Sequence, residues 1–323
     1  MQRIIAFVLA EGPVEHGQTE EEAIPPQSAP SYVSASIPQQ IVLKREGSVT
    51  LKAYPPNILI AESVREVRDV FSEDAFALRS QMIKDCQNLL EKHKAKLKIS
   101  EEYSLAIVDG YEGSAEQFLS HERAIVRFLK SEPLSLHTSE IAHSLQNQIT
   151  YGENDLIIVD WDGAFVFQQN GKADSIVDLL QLVNLHLLQY RVLDEELAQR
   201  LKRIDKLIRT KAISHVVFWN RELSRTYKEV IRMQATSIIE FDAIIREMKL
   251  IGDWYSARLY EIAARKFRLD GWRRSIKEKL ETLENAYGII SQNFRISKEH
   301  FFELMLQMGW LILIFLELYQ IFQ

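Results

Sequence analysis

The feature that most constrains the fold is a heptad pattern of apolar residues in the second half of the chain. Between residues 176 and 208, ten positions alternate at spacings of four and three, and nine of them are apolar or aromatic. They are Ile176, Leu180, Val183, Leu187, Tyr190, Asp194, Leu197, Leu201, Ile204 and Ile208. Such a pattern over more than four heptads is typical of a long helix that packs along a narrow seam, as in coiled coils. The lone polar member, Asp194, could fix the register at a cost in stability.

Two further stretches repeat apolar residues at helical spacing, a looser one over residues 223–248 and a regular one over residues 276–294. Short turns near residues 210–214 and 251–253 would join the three helices, which predicts an antiparallel bundle. The seam could close within one chain or between copies of the chain, and the pattern is compatible with both. The second alternative predicts a homo-oligomer.

The C-terminal segment is strongly apolar. Residues 304–316 contain no charge, and a helix over residues 301–322 would be about 33 Å long, enough for a hydrocarbon core of about 30 Å. The basic residues Arg295 and Lys298 precede this segment and no basic residue follows it. We therefore expect a membrane anchor that keeps the rest of the chain on the cytoplasmic or matrix side. The residues that characterise this anchor are Trp310, Leu313, Phe315 and Glu317.

A helix that packs in a soluble core is the alternative for the same segment. The uncharged run of thirteen residues is shorter than the roughly twenty that a spanning helix uses. Glu303, Gln307 and Glu317 also fall within about 80° of one another on a helix and form a polar stripe. This stripe would face either a second copy inside the membrane or water on a soluble bundle.

The first half of the chain predicts a mixed α+β domain. Its clearest element is a hairpin in which two apolar runs, residues 156–161 and 164–168, flank Asp162-Gly163. Residues 11–40 hold five of the eight prolines and predict a flexible insertion. The other expected elements are strands over residues 4–10, 41–43, 49–54, 58–61 and 103–108, and helices over residues 63–96, 114–130 and 139–149, the first with a break and an N-cap at Ser72.

These patterns divide the chain into three predicted regions. Residues 1–172 form the α+β domain, which contains the insertion at about residues 11–40. Residues 173–297 form a bundle of long, antiparallel, coiled-coil-like helices, and residues 298–323 form the C-terminal anchor. The predicted fold class is therefore α+β, without a repeated βαβ unit.

Composition narrows the function classes. The net charge of −6 argues against a protein that coats nucleic acids generally, because such proteins need a basic surplus. The single cysteine, Cys86, excludes an internal disulfide and a thiolate metal cluster, and it is typical of a reducing compartment. The turn at residues 109–114 precedes a predicted helix but lacks the lysine and the spacing of a phosphate-binding P-loop. We expect no cofactor.

Three aspartates are weak candidates for a metal site. Asp160 and Asp162 flank Trp161 at the predicted hairpin, and Asp109 ends another predicted strand. Clustered carboxylates can bind Mg²⁺ or act in acid–base catalysis. Aspartate before glycine is also a common turn residue without any further role, which is the alternative for this pair.

A basic cluster lies around Trp272 near the start of the third predicted helix. A solvated helix face is one interpretation of this cluster, and contact with RNA or with anionic lipid headgroups is the other. Its members are Arg265, Lys266, Arg268, Arg273, Arg274 and Lys277.

Four stretches of the chain resemble the "required for meiotic nuclear division" family and its bacterial relatives. They are residues 3–11 (RIIAFVLAE), 155–163 (DLIIVDWDG), 182–194 (LVNLHLLQYRVLD) and 309–317 (GWLILIFLE). The resemblance implies an α+β body, a coiled helical section and a terminal membrane helix with an embedded glutamate. For members in organelles it also implies a role in tethering the translation machinery to a membrane, and it brings no catalytic residues with it.

Together, the residues and the resemblance predict a non-enzymatic, membrane-anchored adaptor that self-associates and presents its α+β domain to a soluble partner. Two other hypotheses stay open. One is a soluble metal-dependent enzyme that uses Asp109, Asp160 and Asp162. The other is a soluble, RNA-associated helical protein that uses the basic face over residues 265–279.

Overall fold

The computed structural model describes residues 1–14, 40–150, 152, 154–169, 173–211 and 254–321, and five single positions between residues 232 and 241. Side chains are described for these residues except 207–211, 287, 289–302, 304 and 315–321. Most of the predicted insertion and of the predicted helix at 223–248 therefore lies outside the described residues.

A mixed eight-stranded sheet dominates the first half of the chain. Its strand order is β2-β3-β4-β1-β5-β8-β7-β6, and every neighbouring pair is antiparallel except β5 and β8. The strands are β1 (Gln2–Glu11), β2 (Ile41–Glu46), β3 (Val49–Tyr54), β4 (Ile58–Glu66), β5 (Lys96–Asp109), β6 (Gln148–Ile149), β7 (Asp155–Val159) and β8 (Gly163–Gln168). Strands and helices occur in no repeated βαβ order, so the predicted α+β class is confirmed.

Six α-helices and one short 3₁₀ helix accompany the sheet in the described part of the chain. The helices are α1 (Glu73–Lys92), the 3₁₀ helix (Ala115–His121), α2 (Glu122–Lys130), α3 (Thr138–Leu145), α4 (Asp174–Lys211), α5 (Trp254–Lys266) and α6 (Leu269–Ile321).

The central strand β1 is buried on both faces because helices cover the sheet on each side. Alternate residues, beginning with Ile4, join a core cluster that includes Met82 and Cys86 of α1. The intervening residues point to the opposite face of the pleat. On that face Arg3 donates a hydrogen bond to Asp174 at the start of α4, 3.2 Å away. Each fully buried aliphatic or aromatic side chain in these two layers contributes about 1.5–3 kcal/mol relative to an exposed one.

Several boundaries of helices, strands and loops differ from the prediction. The helix predicted from residue 63 begins only at Glu73, because β4 continues to Glu66 and pairs with β1 as far as Arg3. The N-cap predicted at Ser72 is confirmed, since its side chain accepts a hydrogen bond from the Ala75 amide at the start of α1. A strand, and not a helix, precedes this cap. The strand predicted at residues 103–108 begins earlier, at residue 96, and the predicted turn at 162–163 is a three-residue loop, residues 160–162.

The contacts within the chain define two compact units. The first contains Met1–Val192 and Ala243–Arg273, and the second contains Leu193–Asp242 and Arg274–Gln323. The beginning of α4 therefore belongs with the sheet, although the domain boundary was predicted just before it, at residue 173.

The second unit contains the later part of the heptad seam. The seam residues Leu197 and Ile204 are buried, as is Ile276 of α6. Asp194 accepts a hydrogen bond from the Ser275 hydroxyl at 2.8 Å and pairs with the Lys279 ammonium at 2.7 Å. The one polar residue of the seam is thus satisfied within the chain.

Candidate functional site

A cleft with mainly basic walls lies beside the β7–β8 loop in the first unit. We call it the basic cleft, and its volume is about 470 Å³. Its lining residues come from α2, α3, the β7–β8 loop and the junction between α5 and α6. They are Lys130, His143, Asn147, Asp160, Trp161, Arg265, Lys266 and Arg268.

The wall formed by the α5–α6 junction is anchored by Phe267. This side chain is fully buried, and its ring packs edge-on against Tyr103 of β5 and Trp161, with centroids 5.6 and 6.0 Å apart. Its neighbours Lys266 and Arg268 are therefore held at the cleft. Arg268 adopts a left-handed backbone conformation with φ of 53°, which breaks the helix between α5 and α6.

Asp160 is the acidic centre of the cleft. It is 1% exposed, and its Oδ1 lies 3.0 Å from the Lys266 Nζ and accepts a hydrogen bond from the Trp161 amide at 2.7 Å. Its Oδ2 lies 3.7 Å from the Lys130 Nζ but has no hydrogen-bond partner among the described residues. A buried carboxylate needs such cations because desolvation disfavours an isolated charge.

Lys130 connects this carboxylate to the surface of α3. Its Nζ lies 2.7 Å from Glu140, in addition to its contact with Asp160. Burial lowers the pKa of Lys130, but the hydrogen bond from its ammonium to Glu140 and the negative charges of Glu140 and Asp160 outweigh burial and hold that pKa above its usual value. Lys130 is therefore cationic throughout the physiological pH range.

The β7–β8 loop is fixed from the sheet side by a buried arginine of α1. Arg79 donates a hydrogen bond from Nη2 to the Asp162 carbonyl at 2.7 Å, and its guanidinium lies 5.1 Å from the centroid of the Phe128 ring. Burial lowers the pKa of Arg79, and burial raises the pKa of Asp162 against the opposing charge of Arg79. Nothing in the pattern around Arg79 indicated this role, because helical spacing alone places it among core residues.

The structure separates the three candidate metal ligands. Asp160 and Asp162 lie before the start of β8, whereas Asp109 pairs with Gln168 at its end. Since Ser104 of β5 pairs with Gly163, five residues of strand, about 16 Å, separate Asp109 from the loop.

Asp109 instead belongs to an ion-pair network at the other end of the sheet. Its carboxylate lies 3.8 Å from the guanidinium of Arg3, and its carbonyl accepts a hydrogen bond from the terminal ammonium of Met1 at 2.6 Å. Burial raises the pKa of Asp109, although the positive charges of Arg3 and the N-terminus oppose that shift. Across the described part of the chain, no group of three His, Cys, Asp or Glu residues could hold a metal ion.

The predicted basic cluster divides between the two units. Arg265, Lys266 and Arg268 line the basic cleft. Arg273 does not line the cleft, and its guanidinium lies 3.4 Å from Asp270. The remaining two members, Arg274 and Lys277, are exposed in the second unit.

A second candidate surface is the stretch over residues 305–314 of α6, which we call the C-terminal apolar segment. All ten residues are exposed, and its large apolar side chains are between 48% and 66% exposed. Residues 310–314 are consecutive and apolar, and five consecutive residues cover the full circumference of a helix. Trp310 and Leu313 of the predicted anchor lie here, while the side chains of Phe315 and Glu317 lie outside the described set.

Within the residues that the structure describes, we find no helix with the length and hydropathy needed to cross a membrane.

The fold and the cleft define an α+β protein with long helices and a cleft with mainly basic walls. Residues 39–174 match the family described as "Uncharacterized protein MJ0711, N-terminal domain". The chain is also similar to Uncharacterized protein MJ0711 of Methanocaldococcus jannaschii, with 24% identity over 282 residues, which are 86% of this chain and 82% of the relative. No solved structure gives a significant match. The family match includes the part of the basic cleft formed by α2, α3 and the β7–β8 loop.

Proposed function

We propose that this chain is a non-enzymatic adaptor that is anchored to a membrane by the C-terminal end of α6 and presents its α+β body to a soluble partner. The body then lies on the cytoplasmic or matrix side of the membrane.

The exposed C-terminal apolar segment carries the proposal. A helix that is hydrophobic all round is found in a protein core or in a membrane, because water solvates such a surface poorly. The large side chains of residues 305–314 are at least 48% exposed, so the part of the chain that the structure describes does not bury them. A lipid bilayer would cover every side of the helix at once.

The sequence beyond this segment supports the same assignment. The helix continues to Ile321, and its last residues include Phe315, Leu316 and Leu318. Residues 304–321 would span about 27 Å at 1.5 Å per residue, close to the thickness of a hydrocarbon core. In this arrangement Glu317 lies about 6 Å from the end of the helix, near the far interface, where a carboxylate costs less than at the bilayer centre.

Self-association is the second part of the proposal. Over residues 194–204 of α4, the polar and apolar seam residues find partners or burial inside the chain, which favours a coiled-coil-like packing within one chain. Association between copies is therefore assigned to the membrane helix. Gln307 and Glu317 would hydrogen-bond across such an interface, where polar side chains join helices.

The resemblance to the "required for meiotic nuclear division" family suggests which class of soluble partner the body would bind. We propose that the soluble partner belongs to the translation machinery, as the resemblance implies for members in organelles. Similarity of residues 3–11, 155–163, 182–194 and 309–317 is the support for this step.

Alkaline extraction of membranes tests the anchor. We would compare the full chain, a chain that ends at Ser297, and a full-length variant with Leu311→Arg and Leu313→Arg. Each arginine at the bilayer centre costs about 2.5–3.5 kcal/mol, so the double variant should be released while the full chain stays in the pellet. Glu303→Lys, just outside the span of residues 304–321, is the control and should also stay in the pellet. Release of the unaltered full chain would exclude the anchor.

Calorimetric titration with Mg²⁺ and Mn²⁺ tests the adaptor against the alternative of a metal-dependent enzyme. If the chain is a non-enzymatic adaptor, we expect neither metal ion to bind tightly to the full chain. Tight binding that disappears in the Asp160→Asn and Asp162→Asn variants would instead favour a metal-dependent enzyme.

A further inference from the structure

We infer that the basic cleft binds a nucleotide unit, with the phosphate against its cations and the base against the exposed indole of Trp161. This site is separate from the proposed anchor and does not depend on it. The assignment follows from three properties of the cleft walls, which are charge, an aromatic surface and a buried hydrogen-bond acceptor.

The charge of the cleft favours an anion. Four cations line it, Lys130, Arg265, Lys266 and Arg268, against the single lining carboxylate of Asp160. Two of these cations, Lys130 and Lys266, already compensate Asp160.

The two arginines supply the remaining charge. Arg265 forms an exposed pair with Glu261 at 3.2 Å, and such pairs are weak enough to exchange for a phosphate. Arg268 forms no ion pair with any described residue, and a guanidinium matches the geometry of phosphate oxygens well.

The backbone of the cleft wall holds Arg268 in place. Its carbonyl accepts hydrogen bonds from the amides of Gly271 and Trp272, at 2.9 and 3.2 Å, and its own amide donates to the Arg265 carbonyl at 3.1 Å. With Phe267 buried beside it, the residue is fixed at the junction before any ligand binds. A ligand therefore orders only the side chain, which keeps the entropic cost of binding small.

Trp161 provides an aromatic surface next to these cations. Its side chain is 45% exposed although its ring packs edge-on against the buried Phe267. A large, partly exposed indole on a fixed loop is a suitable platform for a base, since bases stack favourably on aromatic side chains.

The third property is the unsatisfied oxygen of Asp160. Its Oδ2 is buried and has no hydrogen-bond partner among the described residues, so it can accept a hydrogen bond from a sugar hydroxyl or an amino group. An inorganic phosphate would use only the cations, whereas a nucleotide uses all three properties. The volume of about 470 Å³ also lies in the range of small-ligand sites.

The nucleotide unit could come from a free mononucleotide or from a single-stranded RNA, and two measurements distinguish these sources. Binding of ATP to the full chain in mild detergent would be measured by calorimetry. Binding of a fluorescent oligouridylate or oligoadenylate would be measured by anisotropy at low salt. Competition of the oligonucleotide by ATP shows that both occupy the same site.

Arg268→Asn and Trp161→Leu are the test variants. Asparagine tolerates the left-handed conformation of residue 268 and removes only the charge. Each variant should weaken binding by about tenfold, the effect of one charge-assisted hydrogen bond or one stacked base. Arg273→Asn and Trp254→Leu remove the same groups outside the cleft and should leave the affinity unchanged.

Either probe bound with this pattern of variants supports the inference, and the tighter probe identifies the source. The inference is overturned if neither probe binds at about 1 mM, where an affinity of about 4 kcal/mol would still be detected. It is equally overturned if the Arg268 and Trp161 variants, folded by circular dichroism, bind as well as the two control variants.

Discussion

Glu101 on β5 gives a quantitative prediction about stability and pH. Its carboxylate is almost completely buried and pairs with Arg191 of α4, with Oε1 and Nη1 2.5 Å apart. Burial raises the pKa of Glu101 to about 7, from an ordinary value of 4.5, even though the charge and hydrogen bonds of Arg191 act in the opposite direction.

The sign of the effect follows from linkage. A carboxyl group with a raised pKa in the folded state binds its proton more tightly there than in the unfolded chain. Its contribution to stability is therefore full below about pH 4.5 and is lost as the pH rises through about 7. For pKa values of 4.5 and about 7, the free energy of unfolding falls by about 2–3 kcal/mol between pH 5 and pH 8.

The variant Glu101→Gln isolates this contribution, because glutamine has nearly the same shape and does not titrate. Urea unfolding of the wild-type chain and the variant would be measured from about pH 5 to pH 8. The difference in unfolding free energy, variant minus wild type, should increase by about 2–3 kcal/mol across this range. Burial also raises the pKa of other groups, such as Asp178, whose pKa is about 6. These groups are present in both proteins, so their pH-dependent contributions to the unfolding free energy cancel in the difference.

The matched control is Glu102→Gln on the neighbouring, exposed position of β5. It changes the charge by the same amount but keeps Glu101, for which the charge of Glu102 is a smaller cause of the raised pKa than burial. This control should therefore retain most of the fall in stability that the wild-type chain shows between pH 5 and pH 8. A Glu101 difference that is constant with pH, or that decreases toward high pH, would refute the reasoning, since it would mean that the ion pair with Arg191 dominates over burial.

Four further predictions concern local structure. Cys86 is buried and its pKa is raised to about 12 by desolvation, so a disulfide reagent at pH 8 should modify it only after unfolding, which absorbance of the released thiolate would show. Gly163→Ala should destabilise the chain by about 2 kcal/mol or more in urea unfolding, because the new Cβ would lie 2.8 Å from the Ser104 carbonyl oxygen. Gly271→Ala, in a helix and with no atom within 4 Å of its Cβ, should stabilise it by about 0.5–1 kcal/mol. Ser72→Ala should cost about 1 kcal/mol in the same assay, because it removes the cap of α1.

The elements that could be predicted from the sequence are those whose pattern is set by local chemistry. The apolar run of β1, the two runs of the β7–β8 hairpin and the cap at Ser72 each depend on neighbours within a few residues. The hairpin loop is longer than Asp162-Gly163 alone would predict, because Gly163 belongs to β8. It pairs with Ser104 there, so close that a side chain would not fit.

The ends of β4 and β5 could not be predicted, because pairing partners far along the chain determine them. Residues 63–66 show helical spacing in the sequence, yet β4 continues through them because β1 offers unpaired backbone groups as far as Arg3. Likewise, β5 extends back to Lys96, which pairs with Glu11 beyond a register shift in which residues 97–99 of β5 are additional to the partners of β1.

The basic cleft was predicted only in part for the same reason. The sequence indicated Arg265, Lys266 and Arg268 as a basic cluster but gave no sign that Lys130 would join them. Their meeting depends on Phe267, which packs against Tyr103 and Trp161 from distant parts of the chain. Asp160 was predicted as a candidate metal ligand, and in the structure its partners are two lysines.

The proposed anchor requires the C-terminal apolar segment to enter a bilayer, and the fluorescence of Trp310 can report this directly. Trp310 lies about 9 Å along the helix from residue 304, well inside a hydrocarbon core of about 30 Å if the helix inserts. We would measure quenching of tryptophan emission by lipids brominated along their acyl chains, for the full chain and for Trp310→Phe reconstituted in vesicles. If the helix inserts, brominated lipids should quench the tryptophan emission of the full chain, and this quenching should be largely lost in the Trp310→Phe variant. Equal emission in brominated and ordinary lipids, for a chain shown to be bound to the vesicles, would contradict the proposed anchor.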